Sequence, residues 1–160
     1  MTIFPNVQVA TRFACKIARA DPLQVTTGLY QSDNEDLQAI LPPKPEVNGQ
    51  PRYYNGLEVG LLAIVTDFTA AGVKLPLSAK IARRVMEAHL SRPEVPQWVI
   101  VATDNGNVST LPYSQVDLLN GFISGARLNF ALVVDLASYA ARVSAAVADA
   151  PKVIGGGDAV

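Results

Sequence analysis

The chain is poor in the residues that usually carry chemistry. It has one cysteine, one histidine, one tryptophan and two methionines in 160 residues, and only 17% of its side chains are charged. A lone Cys15 excludes an intrachain disulfide and a thiolate metal cluster, and its neighbours Phe13, Ala14 and Ile17 suit a small buried hydrophobe. A lone His89, with no cysteine or paired carboxylate at ligand spacing, argues against a metal site and against a serine–histidine triad. Asp104, Asp117 and Asp135 are scattered, and two of them stand where turns and caps need them. Gly155-Gly156-Gly157 follows no phosphate-loop pattern. No catalytic residue, cofactor or metal is therefore expected, and the chain does not read as an enzyme. No apolar run approaches about 18 residues, so no membrane span is expected. The opening Met1-Thr2-Ile3-Phe4-Pro5 has no basic stretch leading into an apolar one, which points to a cytoplasmic protein.

What is present is enough apolar material for a core, 49% of the chain. The formal net charge is −1, yet the cations are uneven. Residues 1–95 hold 10 basic and 9 acidic side chains, and residues 96–160 hold 3 and 5. Any polyanion-binding face is thus local and belongs to the first part.

Val9 to Ala20 has helical periodicity, with Ala10, Phe13, Ala14 and Ile17 on one face and Arg12, Lys16 and Arg19 on another. Asp21-Pro22 ends it and starts a short second helix over 23–29, where Asp serves as N-cap and Pro as first helical residue. Residues 32–48 read as extended and linker-like, acidic first and then Pro42-Pro43-Lys44-Pro45. Asn48-Gly49 signals a hairpin with strands near 45–47 and 50–54. Asn55 and Glu58 form a capping-box pair for an apolar helix that Gly72 stops. A second, basic helix follows from about Leu75 to Leu90, with Leu77, Ile81, Val85 and Ala88 inward. Beyond Pro96 the expected order is β-β-α-β-α: strands over 97–103 and 108–111, a helix over 114–123, a strand over 129–135 and a final helix capped by Asp135. The tail 151–160 is expected to be disordered.

The chemistry that this pattern can support is nucleic-acid recognition. A winged helix-turn-helix needs a short helix pair to present polar side chains and a β-hairpin wing to touch the backbone. Gln24, Thr26, Thr27 and Gln31 are neutral donors and acceptors suited to base edges or phosphates, and Arg12, Lys16, Arg19 and Arg52 suit phosphates. Tyr53 can join the wing, although core packing of at least one of Tyr53 and Tyr54 is the plainer alternative.

Residues 9–91 resemble the DNA-binding region of MerR-type winged-helix regulators. The resemblance is carried by the FACKIARAD helix, the short second helix, the tyrosine-bearing wing and YYNGLEVGLLAIVTDFTAAGVKLPLSAKIARRVMEAH. It implies an α+β fold with a MerR-like winged helix-turn-helix over 6–92 and a smaller β-β-α-β-α dimerisation or partner-binding region over 96–150. It puts Gln24, Thr26 and Thr27 on the recognition helix, Arg52 and Tyr53 at the wing, and Arg12 and Lys16 on phosphates. The expected function is a dimeric, sequence-specific regulator that binds double-stranded DNA. The alternative is a protein-interaction module on the same scaffold.

Overall fold

The computed structural model describes residues 2–150, a mixed α+β chain with two sheets. Strand β1 (Gln8–Ala10) leads directly into helix α1 (Thr11–Ala18). Val9, expected to open the helix, lies instead in β1 and pairs with Tyr54. Arg19 closes α1 in the left-handed region (φ 60), where its amide reaches the Cys15 and Lys16 carbonyls. Asp21 then caps α2 (Pro22–Gln24) by accepting from the Leu23 amide at 3.0 Å, with Pro22 at the first helical position, as expected. Residues 25–29 widen into a π-turn, the Tyr30 amide bonding to the Val25 carbonyl at 3.0 Å. The low helix propensity of Val25, Thr26, Thr27 and Gly28 leaves this turn little reason to stay regular.

Two expectations for residues 32–54 fail. The acidic stretch is not a linker: α3 (Glu35–Ile40) forms there, capped by Asn34, with Leu37 and Ile40 buried. Glu35 and Asp36 sit in its first turn, where carboxylates favour the helix dipole. The Asn48-Gly49 turn does form, with Gly49 at φ +87 and a Gln50 amide to Val47 carbonyl bond of 3.3 Å. It carries no hairpin, because Pro45 and Pro51 remove amide donors on both sides of it. Strand β2 (Tyr53–Asn55) pairs with β1 instead, antiparallel, in the register Gln8↔Asn55, Val9↔Tyr54, Ala10↔Tyr53.

Helix α4 (Gly56–Ala70) starts on the expected capping box: the Glu58 amide donates to Asn55 Oδ1 and the Asn55 amide to Glu58 Oε2, each at 2.8 Å. Burial raises the Glu58 carboxyl pKa, partly offset by that bond from Asn55. Gly72 (φ +93) ends the helix region, and α5 runs from Leu75 to Ser91. Its inner face is Ser78, Ala79, Ile81, Ala82, Val85 and His89, whereas Leu77, expected inside, is 53% exposed.

The second sheet has the antiparallel order β4-β3-β6-β5, from β3 (Gln97–Thr103), β4 (Val108–Pro112), β5 (Phe122–Ile123) and β6 (Ala126–Asp135). The expected helix over 114–123 is absent. One 3-10 turn (Tyr113–Gln115) is followed by a loop in which Asp117 accepts from the Asn120 amide and side chain, and Gly121 takes φ +70. Ser124 (φ 46) and Gly125 (φ 81) make the two-residue turn between β5 and β6. Region 96–150 is therefore four strands and a helix, α6 (Leu136–Ala148), rather than β-β-α-β-α.

The chain folds as two compact units whose bounds differ from 6–92 and 96–150. One joins Phe4–Arg83 to the chain from Ser138, and the other joins Arg84–Ala137 to the first residues. The resemblance drew the sequence division, whereas α6 follows its side chains. Tyr139 donates to Asp67 of α4 at 2.9 Å, and Arg142 pairs with the same carboxylate at 3.1 Å. In the second unit Val99, Val101 and Val116 form a buried cluster flanked by Leu111, Ile123 and Leu128. The tail 151–160 lies outside the described residues. No helix among the described residues is long and apolar enough to cross a membrane.

Candidate nucleic-acid interface

The first unit presents two helices, α1 and α2, joined by a three-residue turn, beside the small β1–β2 sheet. Ala14, Cys15, Ile17 and Ala18 of α1 and Val25 after α2 are buried. Arg12, Lys16, Arg19, Gln24, Thr26, Thr27 and Gln31 are all exposed. On α1 the 3.6-residue period sorts Arg12 and Lys16 from Ala14, Cys15, Ile17 and Ala18, whereas Arg19, Thr26, Thr27 and Gln31 lie outside the regular helices. Cys15 is fully buried and its thiol is pushed up to about 11, by burial first and Asp21 second. It is a core hydrophobe.

Only part of the expected set converges. Arg12, Thr26 and Arg52 line one groove of about 460 Å³, closed on its far side by Lys44 and the 47–51 turn. Lys16 lines a second groove, about 390 Å³, with Arg19, Arg142 and Asp149. Arg19 and Gln24 border a third, about 580 Å³, floored by Val25, Leu29, Val65 and Leu75. Gln31 lines none of these. The side chains of Arg12, Lys16, Arg19 and Lys44 have no hydrogen-bond or ion-pair partner among the described residues. Arg83, by contrast, is paired with Asp36 at 3.2 Å.

The threonines are less free than their exposure suggests. Thr26 Oγ1 donates to the Pro22 or Leu23 carbonyl at 3.0 and 3.2 Å, and Thr27 Oγ1 donates to the Leu23 carbonyl at 2.7 Å. Their protons are engaged and their lone pairs remain, so both face an approaching ligand as acceptors and methyl groups. Gln24 alone on this helix offers an uncommitted donor and acceptor.

Arg52 is not a free wing cation. Its guanidinium lies 3.8 Å above the Tyr30 ring, and Nη1 donates to the Pro42 carbonyl at 3.1 Å. Tyr30 is also hydrogen-bonded to Thr11 Oγ1 at 2.9 Å and to the Tyr54 hydroxyl, while Thr11 Oγ1 donates to the Arg52 carbonyl at 3.2 Å. Tyr54 is fully buried, and its hydroxyl pKa is raised by burial and by the Tyr30 bond. Tyr53, next along the strand, points the other way and is 44% exposed. The pair thus divides into a core residue and a surface one. This knot of Thr11, Tyr30, Arg52 and Tyr54 fixes the end of the second helix against the β1–β2 sheet.

Sequence reasoning missed Tyr30 as the hub and Lys44 as a groove residue. Tyr30 follows the helix at the point where an aromatic would close it, which was a readable signal. Lys44 stood inside a proline run and had no periodicity to report its side. Among the described residues no group of three or more His, Cys, Asp or Glu is placed to hold a metal. What the surface offers is cations without partners among the described residues, neutral acceptors and the carboxamides of Gln24 and Gln31. Such groups are chemically able to contact phosphates and base edges. No protein-family model and no curated protein matches this chain.

Proposed function

We propose that the protein is a dimeric, sequence-specific double-stranded DNA-binding regulator that reads DNA with α2 and the turn following it, in the manner of a MerR-like winged helix-turn-helix. The observation that carries the reading is that Arg12, Lys16, Arg19 and Lys44 are exposed with no side-chain partner among the described residues, Arg12 and Lys44 sharing a groove with Thr26 and Arg19 sharing one with Gln24. Cations left unpaired beside a polar helix retain their charge for phosphates. Gln24 has the donor–acceptor pair that reads adenine, and the threonine methyls fit thymine. The missing hairpin leaves the 44–51 loop in the wing's place, with Lys44 as its cation and Arg52 as its anchor.

Four free cations and one partly engaged one imply about five phosphate contacts, so the log affinity should fall with log salt at a slope of roughly −4 to −5. In a duplex-binding titration the R12A/K16A pair should flatten that slope by about 2 and weaken all sequences alike. Gln24→Ala should change sequence preference, measured by selection from a random duplex pool. Salt-independent binding, or no duplex affinity at all, would overturn the reading.

A protein-interaction module on the same scaffold is favoured by one observation: Leu23, at the start of α2, is 67% exposed. Under that reading Leu23→Ala weakens binding to a protein partner, and the cation substitutions leave that binding unchanged.

A further inference from the structure

The second unit has an uncovered sheet edge. Strand β5 pairs only with Ala126 and Arg127 of β6, and the Leu128 amide to Gly121 carbonyl bond, 2.8 Å, is the last backbone bond on that side. From Asn129 to Asp135 the outer edge of β6 has no strand partner among the described residues. The stretch is seven residues, about 23 Å long. Exposed edges are normally guarded by lysine, proline or a bulge within the open stretch. The residues here are Asn-Phe-Ala-Leu-Val-Val-Asp, and the one register irregularity lies at its start, where Thr103 pairs with Leu128 and Ala102 with Phe130. Beyond it the strand alternates regularly, with Phe130, Leu132 and Val134 on one face and Ala131 and Val133 on the other. Phe130 is 52% exposed and Val133 43%, so apolar surface remains open on both faces of the same edge.

We infer that this edge pairs with the same edge of a second copy, joining two four-stranded sheets into one across a two-fold axis. The sequence of the edge selects a second copy. An antiparallel pair related by a two-fold must place each residue opposite its mirror position. With the axis at Leu132, the middle of the open stretch, Phe130 meets Val134 of the second copy and Ala131 meets its Val133. Asn129, whose Nδ2 donates to the Thr103 carbonyl at 3.3 Å and which is the extra residue at the register irregularity, ends the regular ladder on that side. The two Asp135 carboxylates lie at opposite ends of the ladder. Moving the axis towards the strand's end would bring them together, and moving it towards Asn129 would drive the incoming strand into β5. The apolar centre and the separated charges agree on one register.

The inference rests on the dimeric part of the function proposed above and on none of its DNA contacts. Sedimentation of the full chain without DNA across a concentration series should show a monomer–dimer equilibrium. Phe130→Lys with Val133→Lys should abolish the dimer, while Leu119→Lys, at a residue 94% exposed outside this edge, should leave it intact. In Leu132→Cys the two thiols oppose each other across the axis, and oxidation should give a covalent dimer that the wild-type chain, with only the buried Cys15, does not give. The cysteine variant decides the matter if the lysine variants do not fold. A wild-type chain that is monomeric throughout overturns both this inference and the dimeric part of the proposed function. A dimer that survives the lysine pair, or a Leu132→Cys chain that does not cross-link, overturns the edge pairing alone.

Discussion

Gly60→Ala separates two opposing effects that differ in sign. Gly60 lies within α4, where replacing glycine by alanine ordinarily favours the helix by about 1 kcal/mol. Here a Cβ would meet Phe4 Cε1 at 2.5 Å and Cζ at 2.9 Å, and Phe4 is only 4% exposed. A carbon pair is comfortable near about 3.5–4 Å, so the ring must move by roughly 1 Å inside a packed site. Overpacking of this kind costs about 1–3 kcal/mol. The balance is a net loss of roughly 0–2 kcal/mol, against a gain of about 1 had the site been open. In urea, with a slope of about 2 kcal/mol per molar, the midpoint should fall by up to roughly 1 M. Phe4→Leu removes the ring atoms in question. In that background Gly60→Ala should raise the midpoint, giving a coupling of about 1–3 kcal/mol in the double-mutant cycle. The same stabilisation from Gly60→Ala in both backgrounds would refute the argument, since it would mean that Phe4 does not occupy the space the missing Cβ leaves.

Arg19→Gly should stabilise the fold by about 1 kcal/mol, because Arg19 holds φ 60 at the end of α1, yet it should weaken duplex binding if the DNA reading holds. Thermal unfolding and a salt titration on the one variant test both signs. Asn55→Ala removes half of the capping box and should cost about 1 kcal/mol in urea unfolding; a neutral result would mean that Glu58 alone sustains the start of α4. Burial lowers the pKa of His89 below its ordinary 6.5, with Glu94 opposing the shift. Above 6.5 the imidazole is neutral folded and unfolded; below it the unfolded chain takes up the proton first. Stability should therefore fall as pH drops from 6.5 towards the folded value, and His89→Gln should remove that slope from the urea midpoint. An unchanged slope in the variant would assign the acid sensitivity elsewhere. Tyr30→Phe deletes the hydroxyl shared by Thr11 and Tyr54 and leaves the Tyr54 hydroxyl buried with one partner fewer, so a loss of about 1–3 kcal/mol is expected.

Where periodicity and capping chemistry acted alone, the fold was legible. Asp21-Pro22, the Asn55/Glu58 box, Gly72 and strand Gln97–Thr103 all stand where the residues put them. Where two local signals competed, it was not. Asn48-Gly49 turned as its residues demand, but the flanking prolines denied it a hairpin, and a distant strand took Tyr53–Asn55. The proline run also masked α3, whose cap and acidic first turn were present in the sequence. The candidate interface was legible as a list of exposed polar residues on α1, on α2 and in the turns that follow them. Their distribution over three grooves was not, because it depends on which elements close each groove. Nor was the engagement of Arg52, whose partners Tyr30 and Pro42 come from other elements.

The sequence by itself determined most of the solvent-facing side chains of α1 and α5, Leu77 excepted, and where most helices start, because these follow from a 3.6-residue period and from backbone donors that need local acceptors. Tertiary structure alone decided which strands pair, which unit α6 joins and which cations remain unpartnered. Those outcomes depend on long-range partners that compete for the same backbone edge or carboxylate, and no local pattern records which competitor wins.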